Sequence, residues 1–138
     1  MLLTYIPKHM VPLATPPPFP RVLLVDDEEL VARAFARVLR HDADVTVEVD
    51  STLALARIAR GDRFELVISD VMMRGMNGLE LFERVLECAP AIRFIFMSGG
   101  MDGALELRIL ATGQPLLQKP IAPADLLQLL RQLAPRRG

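Results

Sequence analysis

Five short apolar runs alternate with five stretches of helical periodicity between residues 21 and 133, and this alternation limits the possible folds more than any other feature. The runs are bounded by polar or turn residues and are too short for helices, which is typical of strands buried on both faces. Strands and helices that alternate at this spacing form a parallel sheet through right-handed crossovers. We therefore predict an α/β fold, a flavodoxin-like doubly wound five-stranded parallel sheet of strand order 2-1-3-4-5 with five helices.

The apolar spacing also predicts where each element lies. Strands are predicted at Val22–Val25, Val45–Val49, Leu66–Ile68, Ile92–Met97 and Leu116–Leu117. Helices are predicted at Glu28–Arg40, from the Asp50-Ser51 cap to Gly61, and at Gly78–Cys88, Asp102–Ala111 and Pro123–Leu133. The first helix is predicted from Leu30, Val31, Ala34, Phe35, Val38 and Leu39, and the third is expected to bury Leu79, Phe82, Val85 and Leu86.

Composition sets the organisation of the chain and the kinds of partner it suits. Six of the 11 prolines lie in residues 1–20, which predicts a proline-rich N-terminal tail or linker followed by one domain over residues 21–138. The net charge of −1 gives no strong field toward nucleic acid or membrane, and no apolar run has membrane-spanning length. We expect a cytoplasmic protein, with Cys88 acting as a small buried hydrophobe.

Polar side chains follow four of the predicted strands: Asp26-Asp27, Asp70, Ser98 and Lys119. In a parallel sheet these ends lie on one edge, where open α/β sheets bind ligands. Because the first and third strands are neighbours in the predicted order, the three carboxylates share one cleft. Carboxylates at close range repel one another unless a cation lies among them. Oxygen ligands with open coordination positions suit Mg²⁺, which retains water and accepts phosphate oxygens.

The remaining two residues at this edge suggest a reaction. Ser98 can donate a hydrogen bond to an oxyanion, and Lys119 supplies a mobile positive charge in a chain whose other basic residues, except Lys8, are all arginine. A carboxylate nucleophile, a divalent metal, a hydroxyl and an ammonium together form a phosphoryl-transfer site. Taken singly, each feature has a plainer interpretation, because Asp-Asp pairs cap helices, Ser-Gly-Gly forms turns, and a lysine before proline is commonly solvated.

Four motifs that occur in order resemble the receiver domain of two-component response regulators: Val25–Glu28, Ser69–Gly78, Met97–Gly99 and Gln118–Pro120. The resemblance covers Arg21 to Leu133. It implies that Asp70 accepts a phosphoryl group from a phosphohistidine and that Ser98 and Lys119 contact its oxygens. It also implies a cis Lys119–Pro120 bond. The implied Mg²⁺ ligands are Asp27, Asp70, the backbone carbonyl of Met72, and Asp26 through water.

The sequence departs from the family pattern in three places. Arg74 replaces the usual proline in the turn after the acceptor, which we expect to alter loop stiffness and not chemistry. Ser98 replaces the commoner threonine and retains the hydroxyl. Leu116 stands where the family usually has an aromatic switch residue, so the usual coupling between phosphorylation and output is in question.

Three functions are compatible with these residues. The first is a phosphoacceptor receiver that switches conformation for signal transduction and catalyses only its own phosphorylation and dephosphorylation. It is either stand-alone or part of a hybrid sensor kinase, and its partner is a sensor histidine kinase or a histidine phosphotransfer protein. The second is a receiver-like interaction module that acts without phosphorylation. The third, a metal-dependent phosphatase, is disfavoured because Met72 occupies the place of its second acid. We expect no direct nucleic acid contact, no membrane contact, and a monomer or weak dimer.

Overall fold

The structure, a computed structural model, describes residues 18–100 and 103–136. Its five strands are Arg21–Val25 (β1), Asp44–Glu48 (β2), Leu66–Asp70 (β3), Arg93–Ser98 (β4) and Leu116–Gln118 (β5). Its helices are Glu29–Leu39 (α1), Ser51–Ala59 (α2), Gly78–Cys88 (α3), Gly103–Ala111 (α4) and Pro123–Leu133 (α5). The strands form one parallel sheet of order β2-β1-β3-β4-β5, which confirms the predicted fold.

Strand pairing brings the carboxyl ends of β1, β3 and β4 to the same edge. Val25 of β1 is in register with Ser69 of β3, and Asp70 is in register with Met97 of β4. Two of the helices that begin at this edge are capped by side chains. The Asp50 side chain accepts from the backbone N–H groups of Thr52 and Leu53 at the start of α2, and Asn77 forms a capping box at the start of α3.

Two apolar layers hold the sheet, one on each face. The layer under α2, α3 and α4 includes Val67 and the mutually packed rings of Phe82, Phe94 and Phe96. The layer under α1 and α5 includes Ile68 and neighbouring aliphatic residues of β1 and β4. Burying each large side chain is worth about 1.5–3 kcal/mol, so these layers hold the edge that carries the polar residues in a fixed geometry.

Two burial assignments from the sequence were wrong. The Cys88 thiol is exposed, because this last residue of α3 lines an open groove together with Phe64 and Ile92. Leu86 is also exposed, and the inward stripe of α3 is formed by other residues. In α1, Leu30 is 86% exposed, and the side that packs on the sheet carries Ala32, Phe35, Ala36 and Leu39.

Some predictions fall outside the part of the chain that the structure describes. The proline-rich tail predicted for residues 1–20 lies mostly in residues 1–17, and the predicted first residue of the fourth helix, Asp102, is also outside. Among the described residues, no helix combines the length and the apolarity needed to cross a bilayer.

Candidate functional site

The three aspartates predicted to share a cleft do so. Asp26 and Asp27 follow β1 directly, and Asp70 is the last residue of the neighbouring strand β3. One carboxylate oxygen from each residue lies within 4.8 Å of the others. Their closeness follows from strand order and register, since β1 and β3 end side by side.

Asp26 is the most deeply buried of the three and is completely inaccessible to solvent. Its Oδ1 accepts a hydrogen bond from the backbone N–H of Glu28 at 3.0 Å. Its Oδ2 is buried and has no hydrogen-bond partner among the described residues, although the Lys119 ammonium lies 3.8 Å away. Burial raises the pKa of the Asp26 carboxyl above its ordinary value, and the Glu28 N–H and the Lys119 charge offset only part of that rise.

Asp27 lies at the mouth of the cleft, with its side chain 21% exposed. Its Oδ2 accepts the backbone N–H of Arg74 at 3.1 Å, and the guanidinium Nε of Arg74 lies 3.7 Å from the same oxygen. The β3–α3 loop therefore contacts the acidic cluster through a residue to which the sequence analysis assigned no chemical role. The sequence did contain one indication of this contact. Arg74 has a backbone N–H and a charge, and it stands where the family usually has proline.

Asp70 is buried and pairs with Lys119, whose Nζ lies 3.1 Å from Asp70 Oδ2. The backbone around Asp70 is tightly packed. The Ser69 hydroxyl donates to the Asp70 carbonyl at 2.9 Å, and a Cβ on Gly78 would collide with that same carbonyl. Glycine at position 78 thus lets the start of α3 approach the candidate acceptor closely.

Ser98 and Lys119 lie side by side at the ends of β4 and β5. Ser98 is buried, and its carbonyl accepts the Lys119 backbone N–H at 2.7 Å. The Ser98 hydroxyl accepts from the N–H of Gly100 at 3.2 Å, and within residues 18–100 and 103–136 its own proton has no acceptor. The predicted cis Lys119–Pro120 bond is confirmed. Both residues line a cavity of about 230 Å³ together with Glu106, which the sequence analysis did not single out.

Met72 lies in the β3–α3 loop two residues after Asp70, with its side chain more than half exposed. The metal-ligand role of its carbonyl remains a prediction. Leu116, the replacement for the aromatic switch residue, is half-buried and packs against the core layer under α3.

The donor set fits a hard divalent cation. Three carboxylates converge, and one buried oxygen, Asp26 Oδ2, has no hydrogen bond among the described residues. An anionic oxygen held out of water without a partner is costly, and a nearby cation removes that cost. Carboxylate oxygens with an open mouth toward solvent are the ligands expected for Mg²⁺ or a similar ion.

The model of the response regulator receiver domain family matches residues 22–131. The chain belongs to this family. It is therefore a receiver domain of two-component signalling, as the strand-end motifs implied. The C4-dicarboxylate transport transcriptional regulatory protein DctD of Rhizobium meliloti is 32% identical over 121 residues, which is 86% of this chain and 26% of that protein. The DNA-binding response regulator MtrA of Mycobacterium leprae is 32% identical over 113 residues, or 80% of this chain and 49% of that protein.

The chain thus spans about half or less of the length of these relatives. Solved receivers share the fold. A CheY-like response regulator receiver domain protein from Methanospirillum hungatei superposes with a TM-score of 0.77 at 25% identity, covering 83% of this chain and 92% of that one. The Vibrio cholerae chemotaxis protein CheY4 superposes with a TM-score of 0.74 at 27% identity, covering 83% and 98%.

Proposed function

We propose that this domain accepts a phosphoryl group on the Asp70 carboxylate, with Mg²⁺ bound among the three aspartates. The observation that carries the proposal is the contact between the buried Asp70 and the Lys119 ammonium at 3.1 Å, beside two further carboxylates that a cation would neutralise. The donor is a phosphohistidine on a sensor histidine kinase or a histidine phosphotransfer protein. The domain itself is cytoplasmic and makes no direct contact with nucleic acid.

In the proposed transfer, an Asp70 oxygen attacks the phosphorus of the phosphohistidine. The P–N bond breaks and the imidazole leaves with the electron pair, so an acyl phosphate forms on Asp70 and the donor histidine is regenerated. Lys119 holds one Asp70 oxygen before transfer and is placed to pair with a phosphoryl oxygen afterwards. The Ser98 hydroxyl, which has a proton to donate, binds a second phosphoryl oxygen.

The acidic cluster supplies the metal ligands in this proposal. Asp27 and Asp70 would bind Mg²⁺ directly with the carbonyl of Met72, and Asp26 would hold it through water. Bound there, the ion would offset the negative charge that a phosphoryl group brings to three carboxylates. A domain with this site would catalyse only its own phosphorylation and dephosphorylation.

Incubation with a small phosphodonor such as acetyl phosphate, followed by intact-mass measurement, tests the proposal. We expect a stable gain of one phosphoryl group with Mg²⁺ and none with a chelator. No gain under either condition would support a phosphorylation-independent interaction module. Steady release of inorganic phosphate without accumulation of the labelled protein would support a phosphatase.

A further inference from the structure

Arg74 makes two contacts with one oxygen of the acidic cluster. Its backbone N–H donates to Asp27 Oδ2 at 3.1 Å, and its Nε lies 3.7 Å from the same atom. The usual family residue at this position, proline, has no N–H and no charge, so it can make neither contact. The link between the β3–α3 loop and Asp27 therefore depends on the residue that this chain carries.

Hydrogen bonds that do not involve the three aspartates hold the rest of the β3–α3 loop. The buried Ser51 hydroxyl donates to the Met76 carbonyl at 2.7 Å, which ties the loop to α2. The N–H of Gly78 donates to the Val71 carbonyl at 2.8 Å and closes the loop at its base. Loss of the Arg74 contacts would thus release one point of the loop without unfolding it.

We propose that the two contacts of Arg74 with Asp27, which we call the latch, compete with divalent metal for that carboxylate. The contacts must break before the metal can bind Asp27. This inference rests on the proposed Mg²⁺ site, in which Asp27 is a direct ligand. A carboxylate oxygen that accepts an N–H and lies beside a guanidinium is less available to a cation, and the arginine charge itself repels one. The latch lowers the affinity of the site for metal and couples metal loading to movement of the loop at residue 74.

Titration of the free domain with Mg²⁺, followed by calorimetry and by amide chemical shifts, tests the latch. Arg74→Ala removes the guanidinium and keeps the N–H, and Arg74→Pro removes both. Because the guanidinium is 92% exposed, Arg74→Ala should tighten Mg²⁺ binding only about twofold to fivefold. Arg74→Pro should tighten it further, to about tenfold or more, because the hydrogen bond is also lost.

The matched control is Arg93→Ala, which removes one exposed arginine at the opposite edge of the sheet and should leave the dissociation constant unchanged. In the wild-type domain, the Arg74 amide proton should shift upfield on metal addition, as expected when its hydrogen bond breaks. The advantage of Arg74→Ala over wild type should shrink at high salt, since exposed charges are screened.

The results separate the latch from the metal site itself. The latch is overturned if wild type, Arg74→Ala and Arg74→Pro bind Mg²⁺ with equal affinity. It is also overturned if Mg²⁺ shifts the amide signals of the three aspartates and leaves the Arg74 amide proton unshifted. The proposed function, by contrast, fails if wild type binds no Mg²⁺, or if Asp27→Asn binds it as tightly as wild type does.

Discussion

Replacing Asp26 with asparagine should stabilise the domain when no metal is present. The Lys119 ammonium attracts the Asp26 carboxylate from 3.8 Å, and the Asp27 and Asp70 carboxylates repel it from within 4.8 Å. At an effective dielectric constant of 20 the attraction to Lys119 and the repulsion from the buried Asp70 are each on the order of 4 kcal/mol, so these two nearly cancel. Asp27 is partly exposed, so its added repulsion is screened and smaller. The larger remaining term is the cost of a buried anionic oxygen that has no hydrogen bond within residues 18–100 and 103–136, about 1–3 kcal/mol.

Asp26→Asn removes that charge and retains the oxygen that accepts the Glu28 N–H. For a domain of this size the melting temperature rises by about 4 °C per kcal/mol, so the expected gain is about 4–12 °C. Thermal unfolding followed by circular dichroism at pH 8 in chelator is the assay.

The pH dependence of this gain has a defined sign. The pKa of Asp26 is raised in the folded state above the ordinary value of 3.8, so the folded domain binds that proton more tightly than the unfolded chain does. The carboxylate therefore costs no stability below the unfolded pKa, and its cost grows as the pH rises through the folded pKa. The advantage of Asp26→Asn should be full at pH 8 and should shrink as the pH falls toward 4.

The control is the same substitution at the neighbouring residue. Asp27 is partly exposed and already accepts the Arg74 N–H, so Asp27→Asn should raise the melting temperature less or lower it. Added Mg²⁺ should stabilise wild type by mass action, so the difference in melting temperature between wild type and Asp26→Asn should become smaller. An Asp26→Asn domain that melts at or below the wild-type temperature in chelator would refute this reasoning.

Four further outcomes follow from the site. Lys119→Ala should still accept phosphate but should show a much smaller amide-shift response to beryllofluoride, because the ammonium makes the contact that favours the switched state. The acyl phosphate should hydrolyse slowly, and Met72→Asn or Gly100→Glu should shorten its lifetime by orienting water; timed loss of label measures this. Beryllofluoride should alter hydrogen exchange near Ser98 far more than at Leu116, which is packed against the core and has no ring to move. Gly78→Ala should lower stability to urea by about 1–3 kcal/mol, because its Cβ would overlap the Asp70 backbone.

The parallel sheet was predictable from regular spacing, and its strand order followed from the usual doubly wound arrangement. Apolar runs that alternate with helical periods fix a parallel sheet, and the sheet then places Asp26, Asp27 and Asp70 at adjacent strand ends. Lys119 was found for the same reason, since it follows β5 directly.

Features that depend on loops and helix ends were not predictable in this way. Cys88 lies three residues after the buried Val85 and is nevertheless exposed, because helical spacing alone does not determine burial at the last residue of a helix. The contact between Arg74 and Asp27 joins residues 47 positions apart through an irregular turn, for which the sequence has no periodic signal. The lack of a hydrogen bond to Asp26 Oδ2 among the described residues likewise depends on the packing around a single atom, which sequence spacing does not predict.

The central claim is that Asp70 is the phosphoacceptor, and chemical mapping of the phosphorylated residue tests it directly. The domain is labelled with acetyl phosphate and Mg²⁺ and reduced with borohydride, which converts an aspartyl phosphate to homoserine, and the peptides are then sequenced by mass spectrometry. We expect homoserine at position 70 alone, none in chelator, and none in Asp70→Asn. Homoserine at position 26 or 27, or labelling that persists in Asp70→Asn, would contradict it.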